Sequence, residues 1–206
     1  MKRGNSRQRV EKAATAMLPT RYGNFRITIF HDQAGDKEHI AVIKGDIGGR
    51  DAVPLRLHSE CLTGDALGSL RCDCRGQLTK ALEYLGTQDF GVLLYLKQEG
   101  RGIGLINKIK AYHLQEKGLD TVEANHALGF DGDLRDYRIA GEVLKRLKVK
   151  SVNILTNNPK KIRGLEDNGI VVAKRTPLET EPNVFNEHYL KTKKEKLGHR
   201  INLPPD

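Results

Sequence analysis

Cys61, Cys72 and Cys74 are the residues of this chain most able to do chemistry, with ten residues in the first gap between them and one in the second. Three soft protein ligands with a fourth position left for water form the arrangement of a catalytic rather than a structural zinc site. Free cysteines also serve as small buried hydrophobes. Here Arg71, Asp73 and Arg75 flank the pair, and His58-Ser-Glu precedes Cys61, surroundings too polar for a core strand. The thiols therefore read as thiolates on a metal. Three thiolates on Zn²⁺ leave a formally negative centre, which depresses the pKa of bound water less than three imidazoles would. Hydrogen bonds to the sulfurs and a nearby acid or base must then come from elsewhere in the chain.

Two further segments are suited to anions. Gln98-Glu-Gly-Arg-Gly-Ile-Gly104 has three alternate glycines, which let backbone amides approach closely, and Arg101 supplies a planar cation. It is neither a Walker A nor a Rossmann signature. Thr156-Asn-Asn-Pro-Lys-Lys161 places Asn158 to cap a helix with Pro159 at its first position, leaving free amides and Lys161 for an anion. Two such helix starts, each after an apolar strand, favour a polyphosphate ligand. Asp133-Leu-Arg-Asp136 reads as a helix start with Asp133 at the N-cap, and Tyr112 as core packing on the apolar side of its helix.

The elements that must position these residues begin with strands: Phe25 to Phe30, His39 to Ile43 and Val53 to His58 alternate with period two. From Gly76 the period becomes helical, through Leu78, Ala81, Leu82 and Leu85, and Gly91 to Leu96 is a buried strand. Leu105, Ile109 and Tyr112 mark the apolar side of a helix that Gly118 ends, and Ala140, Val143, Leu144 and Leu147 mark another starting near Leu134. Strands at Val152 to Thr156 and Ile170 to Ala173 flank a helix opening at Pro159, and a basic helix covers Asn186 to Leu197. With no helices between the early strands, the expected class is α+β, a single compact domain with mixed sheets and packed helices.

The 206 residues, 38% of them hydrophobic, suffice for one sizeable core, and no apolar run approaches the roughly 18 residues of a membrane-spanning helix. The basic start lacks the apolar region of a secretory signal, and three clustered cysteines argue against a disulfide framework, so a cytoplasmic protein without membrane partners is expected. The net charge of +9 favours an anionic partner without separating nucleic acid from nucleotide phosphate. Residues 1–17 are expected to be a basic, disordered leader, 18–200 the domain, and 201–206 a tail. The basic stretch from Lys191 to Arg200 reads as a solvated terminus.

Taken together, Arg56-Leu-His-Ser-Glu-Cys-Leu-Thr-Gly-Asp-Ala-Leu-Gly-Ser-Leu-Arg-Cys-Asp-Cys74, the Gln98 to Lys108 segment, Thr121-Val-Glu-Ala-Asn125 and Thr156 to Lys161 resemble the GTP cyclohydrolase II family, in family order, from about Leu18 to His199. The resemblance implies hydrolysis of GTP to a diamino-ribosylaminopyrimidinone phosphate, formate and pyrophosphate, the first step of riboflavin biosynthesis. It implies one Zn²⁺ per subunit on Cys61, Cys72 and Cys74, and Mg²⁺ with the triphosphate. GTP contacts are implied at Arg56, Leu57, His58, Ser59, Glu60, Gln77, Glu99, Gly100, Arg101, Thr121, Thr156 and Lys161. The family mechanism implies Arg135 as nucleophile toward the α-phosphorus with Asp133 as its proton acceptor, and Tyr112 as a residue orienting water or moving protons. An arginine pKa above about 12 leaves little free guanidine, so electrostatic stabilisation by Arg135 is the alternative role. A homodimer is implied, and a monofunctional chain, since few residues precede Leu18. Arg75 stands where the family often carries glycine. Two rival readings remain: a related ring-opening enzyme that retains the formyl group, and a zinc-stabilised RNA-binding module. The second is weakened by the absence of Trp and by 5% aromatics, too few for stacking platforms.

Overall fold

The structure is a computed structural model and describes residues 10–131 and 133–201. Its strands are β1 (Val10–Thr20), β2 (Gly23–Asp32), β3 (Lys37–Lys44), β4 (Val53–Ser59), β5 (Gly91–Leu96), β6 (Ser151–Leu155) and β7 (Val171–Thr176). The helices are α1 (Leu62–Asp65), α2 (Cys74–Gly86), α3 (Gly104–Gln115), α4 (Thr121–Ala127), α5 (Arg138–Arg146), α6 (Pro159–Glu166) and α7 (Glu187–Glu195). Among the described residues the strands form one sheet in the order β1-β2-β3-β5-β4-β6-β7. The mixed character expected from the sequence thus lies within a single sheet. From β1 to β5 the neighbours are antiparallel; from β5 through β4 and β6 to β7 they are parallel. Helices link the parallel strands, as such crossovers require, with α2 between β4 and β5 and α6 between β6 and β7. This half is α/β in character.

Period-two alternation divides the core between the two sheet faces. Val53, Leu55 and Leu57 of β4 pack with Val92, Leu94 and Leu96 of β5 and with Ile139, Ala140, Val143 and Leu144 of α5. On the opposite face Phe25 and Leu93 meet Ala81 and Leu85 of α2. Strand periodicity sends Arg56 and His58 to that second face while their neighbours stay in the first core.

Three expectations are corrected. Part of the supposed disordered leader is strand: β1 starts at Val10 and pairs with β2 from Val10↔Asp32 to Thr20↔Gly23. It is exposed over most of its length, so it carries no apolar alternation, and its backbone pairing alone defines it. Residues 1–9 and 202–206 lie outside the described residues. Asp133 is not an N-cap, because α5 begins at Arg138 and Asp136 Oδ1 accepts from Arg138 N at 2.7 Å. Finally, α3 is rotated from the expected face: Leu105 and Ile109 are exposed and Tyr112 is half-buried, whereas Lys108 and Ala111 are buried.

Candidate metal centre and anion cleft

The chain turns at the carboxyl end of β4 to place Cys61 before α1, and Cys74 opens α2. The three sulfurs lie within 4.8 Å of one another, and Cys61 and Cys72 are 3.7 Å apart. Tetrahedral coordination with metal–sulfur bonds of about 2.3 Å separates sulfurs by about 3.8 Å, so the cluster fits a metal ion. α1 can lie on the sulfurs because position 64 is glycine: a Cβ there would stand 2.7 Å from Cys72 Sγ and 3.1 Å from Cys61 Sγ. Hydrogen bonds from Cys72 and Cys74 lower the Cys61 pKa, and the Lys108 ammonium, 3.1 Å from its sulfur, lowers it further. Cys72, sharing its hydrogen bond with that first thiolate, is pushed up to about 11. Tyr112 faces the cluster rather than a core, its hydroxyl 3.3 Å from Thr63 Oγ1.

Behind the cysteines a polar network fixes the second-face residues of β4. His58 Nε2 meets Asp65 at 3.0 Å, and Tyr95 donates to the same carboxylate at 2.9 Å. Burial lowers the His58 pKa against the pull of Asp65, and its Nδ1 is buried with no partner. Arg56 donates to Leu155 O at 3.0 Å and to Gln77 Oε1 at 2.5 Å. Gln77 passes the chain of bonds to Asp73 at 2.6 Å, and Asp73 accepts from Lys193 of α7 at 2.6 Å.

At the carboxyl end of β5, Gly100 and Arg101 both hold φ of 62°. This left-handed conformation costs a residue with a Cβ about 1 kcal/mol, and such strain collects at functional sites. It carries Arg101 into the cleft with both terminal nitrogens buried and unpartnered. The carbonyl of Arg101 accepts from Leu134 N at 3.0 Å, which draws in the segment carrying Arg135. Arg135 donates through Nε and Nη2 to the two oxygens of Asp133, at 2.8 and 2.7 Å. Burial would raise the Asp133 pKa, yet this guanidinium holds it below the usual carboxylate range. Burial likewise opposes charge on Arg135, but Tyr137 and Asp133 raise its pKa above the ordinary value. At the end of β6, Lys161 is buried and donates to Leu57 O at 2.6 Å. Its pKa is driven well down by burial, then by Arg56, Arg135 and Lys193.

Of the residues singled out in the sequence, one cleft brings together the three cysteines, Arg56, His58, Ser59, Glu60, Gln77, Glu99, Gly100, Arg101, Tyr112, Thr121, Arg135 and Lys161. Leu57 and Thr156 do not line it. The Leu57 side chain is fully buried in the other core, and Thr156 Oγ1 accepts from Asn158 N at 3.1 Å beneath α6. Asp133 also stands behind the lining, reaching it through Arg135. Sequence reasoning missed Lys108, Tyr189, Lys193 and His199, which line the same cleft. Lys193 in particular is buried and ion-paired, contrary to the solvated terminus expected for its segment. Lys193 follows Leu190 by three residues and Tyr189 by four, one helical turn on a shared face, which was the signal available for docking.

The cleft lies at the carboxyl ends of β4, β5 and β6, where the strand order β5-β4-β6 reverses, the place at which open α/β sheets bind ligands. Fold and site thus define a mixed-sheet protein that sets a three-cysteine cluster able to hold a metal against a cleft lined by cations. The chain belongs to the GTP cyclohydrolase II family, whose model matches residues 11–177. It is 56% identical over 193 residues to GTP cyclohydrolase-2 of Tolumonas auensis, covering 94% of this chain and 98% of that one. The corresponding protein of Picrophilus torridus is 50% identical over 190 residues, covering 92% and 98%. The riboflavin biosynthesis protein RibBA of Endomicrobium trichonymphae is 56% identical over 201 residues; the match takes in 96% of this chain and about half, 50%, of that relative.

Proposed function

We propose that this chain is a GTP cyclohydrolase II, hydrolysing GTP to the diamino-ribosylaminopyrimidinone phosphate, formate and pyrophosphate at the head of riboflavin biosynthesis. The observation that carries the reading is the meeting, in one cleft, of the three sulfurs with buried cations whose donors have no partner, above all Arg101. A buried guanidinium without an acceptor is costly and calls for an anion. Lys161, held among Arg56, Arg135 and Lys193, gains in the same way when phosphates enter.

In this reading Cys61, Cys72 and Cys74 hold one zinc per subunit, which supplies a Lewis acid beside the guanine ring. His58, kept neutral by burial and oriented by Asp65, offers its free Nδ1 to the ligand, and Arg56 and Gln77 form one wall. Glu60, Ser59, Thr121 and the Glu99-Gly100-Arg101 turn supply further contacts, while Leu57 and Thr156 contribute by holding Lys161 and the start of α6. Mg²⁺ accompanies the triphosphate. Tyr112, whose pKa is raised by burial, acts as a neutral phenol at the metal end, able to orient water and pass protons. Arg135 stabilises charge on the phosphates as a guanidinium: its pKa is raised rather than lowered, and Asp133 accepts two of its donors.

The enzyme works as a cytoplasmic homodimer. Exposed Leu105, Ile106 and Ile109 on α3 support association, and no helix among the described residues is long and apolar enough to cross a membrane. Purified protein incubated with GTP and Mg²⁺ is expected to release formate and pyrophosphate in equal amounts. Accumulation of a stable formylated pyrimidine without free formate would instead assign the related enzyme that stops at ring opening.

A further inference from the structure

We propose that Lys108 is the positioning cation of the cysteine centre: through its hydrogen bond to Cys61 Sγ it neutralises the trithiolate and sets how tightly the sulfurs hold a divalent ion. The inference rests on the reading of Cys61, Cys72 and Cys74 as metal ligands. Lys108 Nζ lies 3.1 Å from Cys61 Sγ and 2.8 Å from Glu99 Oε1, and both side chains are buried. Glu99 is itself fixed, since Oε2 accepts from Leu62 N at 2.6 Å and Oε1 from Gly100 N at 2.8 Å. The ammonium is therefore pinned between two groups and cannot turn away to solvent.

Charge explains why the position must be cationic. A divalent ion with three thiolates carries one net negative charge, and Glu99 adds another on the far side of Lys108. Removing the ammonium leaves two buried anions facing each other, an arrangement far less favourable than the intact trio. Helix geometry places Lys108 there: it shares a face of α3 with Ala111 and Tyr112, so the helix that presents the phenol also presents the cation. Lys108 donates directly to Cys61 Sγ, and so acts on the metal through that ligand. Groups that tune a metal from outside its ligand set typically alter affinity by about 10–100-fold.

The test compares wild type, Lys108→Met, Lys108→Arg and Cys72→Ser by zinc competition against a chromophoric chelator and by the spectrum of the cobalt-loaded proteins. Lys108→Met is expected to shift zinc affinity about 10–100-fold and to move the sulfur-to-cobalt charge-transfer band to longer wavelength, because the Cys61 lone pairs rise in energy. Lys108→Arg, keeping a cation and donors, returns both most of the way to wild type. Zinc affinity and band position unchanged in Lys108→Met, with metal-free melting equal to wild type, would overturn the role of Lys108. Wild type that binds no zinc, or Cys72→Ser that binds it equally well, would overturn the metal reading beneath it. If Lys108→Met does not fold, Glu99→Gln carries the test: an ammonium freed from Glu99 bonds the sulfur more strongly and moves the band to shorter wavelength, and an unmoved band overturns the proposal.

Discussion

Arg135 shows how much a residue's role depends on its immediate partners. As a nucleophile it must lose a proton, but a fork of two bonds to Asp133 and a raised pKa hold the guanidinium charged. The same fork fixes the plane of the side chain, which is what stabilisation of developing phosphate charge needs. Arg135→Ala is expected to reduce pyrophosphate release from GTP by about 100- to 1000-fold, the scale of losing one preorganised charge donor. Arg135→Lys should retain measurable release above the alanine variant, because a cation remains although the fork is gone. A coupled pyrophosphate assay under single-turnover conditions reads both. Trapping of a phosphoramidate on Arg135 would restore the covalent role. The cysteine cluster, in contrast, was legible directly from sequence, because no core strand tolerates Cys-Asp-Cys among arginines. What sequence could not show was Lys108: a buried lysine looks like any surface lysine until its helix is oriented.

At the scale of elements, β4, β5 and β6 were readable because burial on one or both faces leaves an apolar signature. β1 was not, since an exposed edge strand is held by backbone pairing and leaves no side-chain pattern. α4 passed unread although Asp120 and Glu123 form a capping box that was present in the sequence. α3 is rotated from the face its apolar residues suggest. Its inward face carries Lys108 and Tyr112 to the cysteines, so the apolar residues that usually mark a core face look outward. The junction of β3 and β5 offers a test of how these elements are sealed. His39 of β3 is buried, its Nδ1 accepting from Lys97 N at 3.2 Å. Burial depresses its pKa from 6.5 to about 4, against the pull of Asp32 and with Lys37, Lys97 and Arg138 adding to the fall. Between those values the unfolded chain binds a proton that the folded one refuses, so stability is full above 6.5 and is lost as the pH falls toward 4. Urea unfolding midpoints should decline across that window, and His39→Gln should flatten the decline; an equal slope in the two proteins would show that His39 does not titrate with folding.

At the scale of the whole molecule, the net charge of +9 matters less than where the cations sit. Many lie on the surface, but Arg101, Lys161 and Lys193 are turned into one cleft, and the first two have burial without compensating anions. Arg56, Arg135 and Lys193 repel charge on Lys161, and a ligand of opposite charge would relieve that repulsion. Two consequences separate this from a general affinity for polyanions. Inorganic pyrophosphate, which carries the charge without the base, should raise the melting temperature, by about 5–10 °C at one hundred times its Kd if each kcal/mol is worth about 2–4 °C in a chain of this size. Arg101→Met should melt at or above wild type when no anion is present, because two buried guanidinium nitrogens without an acceptor have gone, and should show little of the pyrophosphate gain. Single-stranded RNA spreads its phosphates along an extended backbone rather than gathering them at one point, so it should leave both proteins unshifted at physiological salt. A melting shift with RNA, lost on raising the salt and insensitive to Arg101→Met, would move the anion site from the cleft to the surface and with it the meaning of the positive charge.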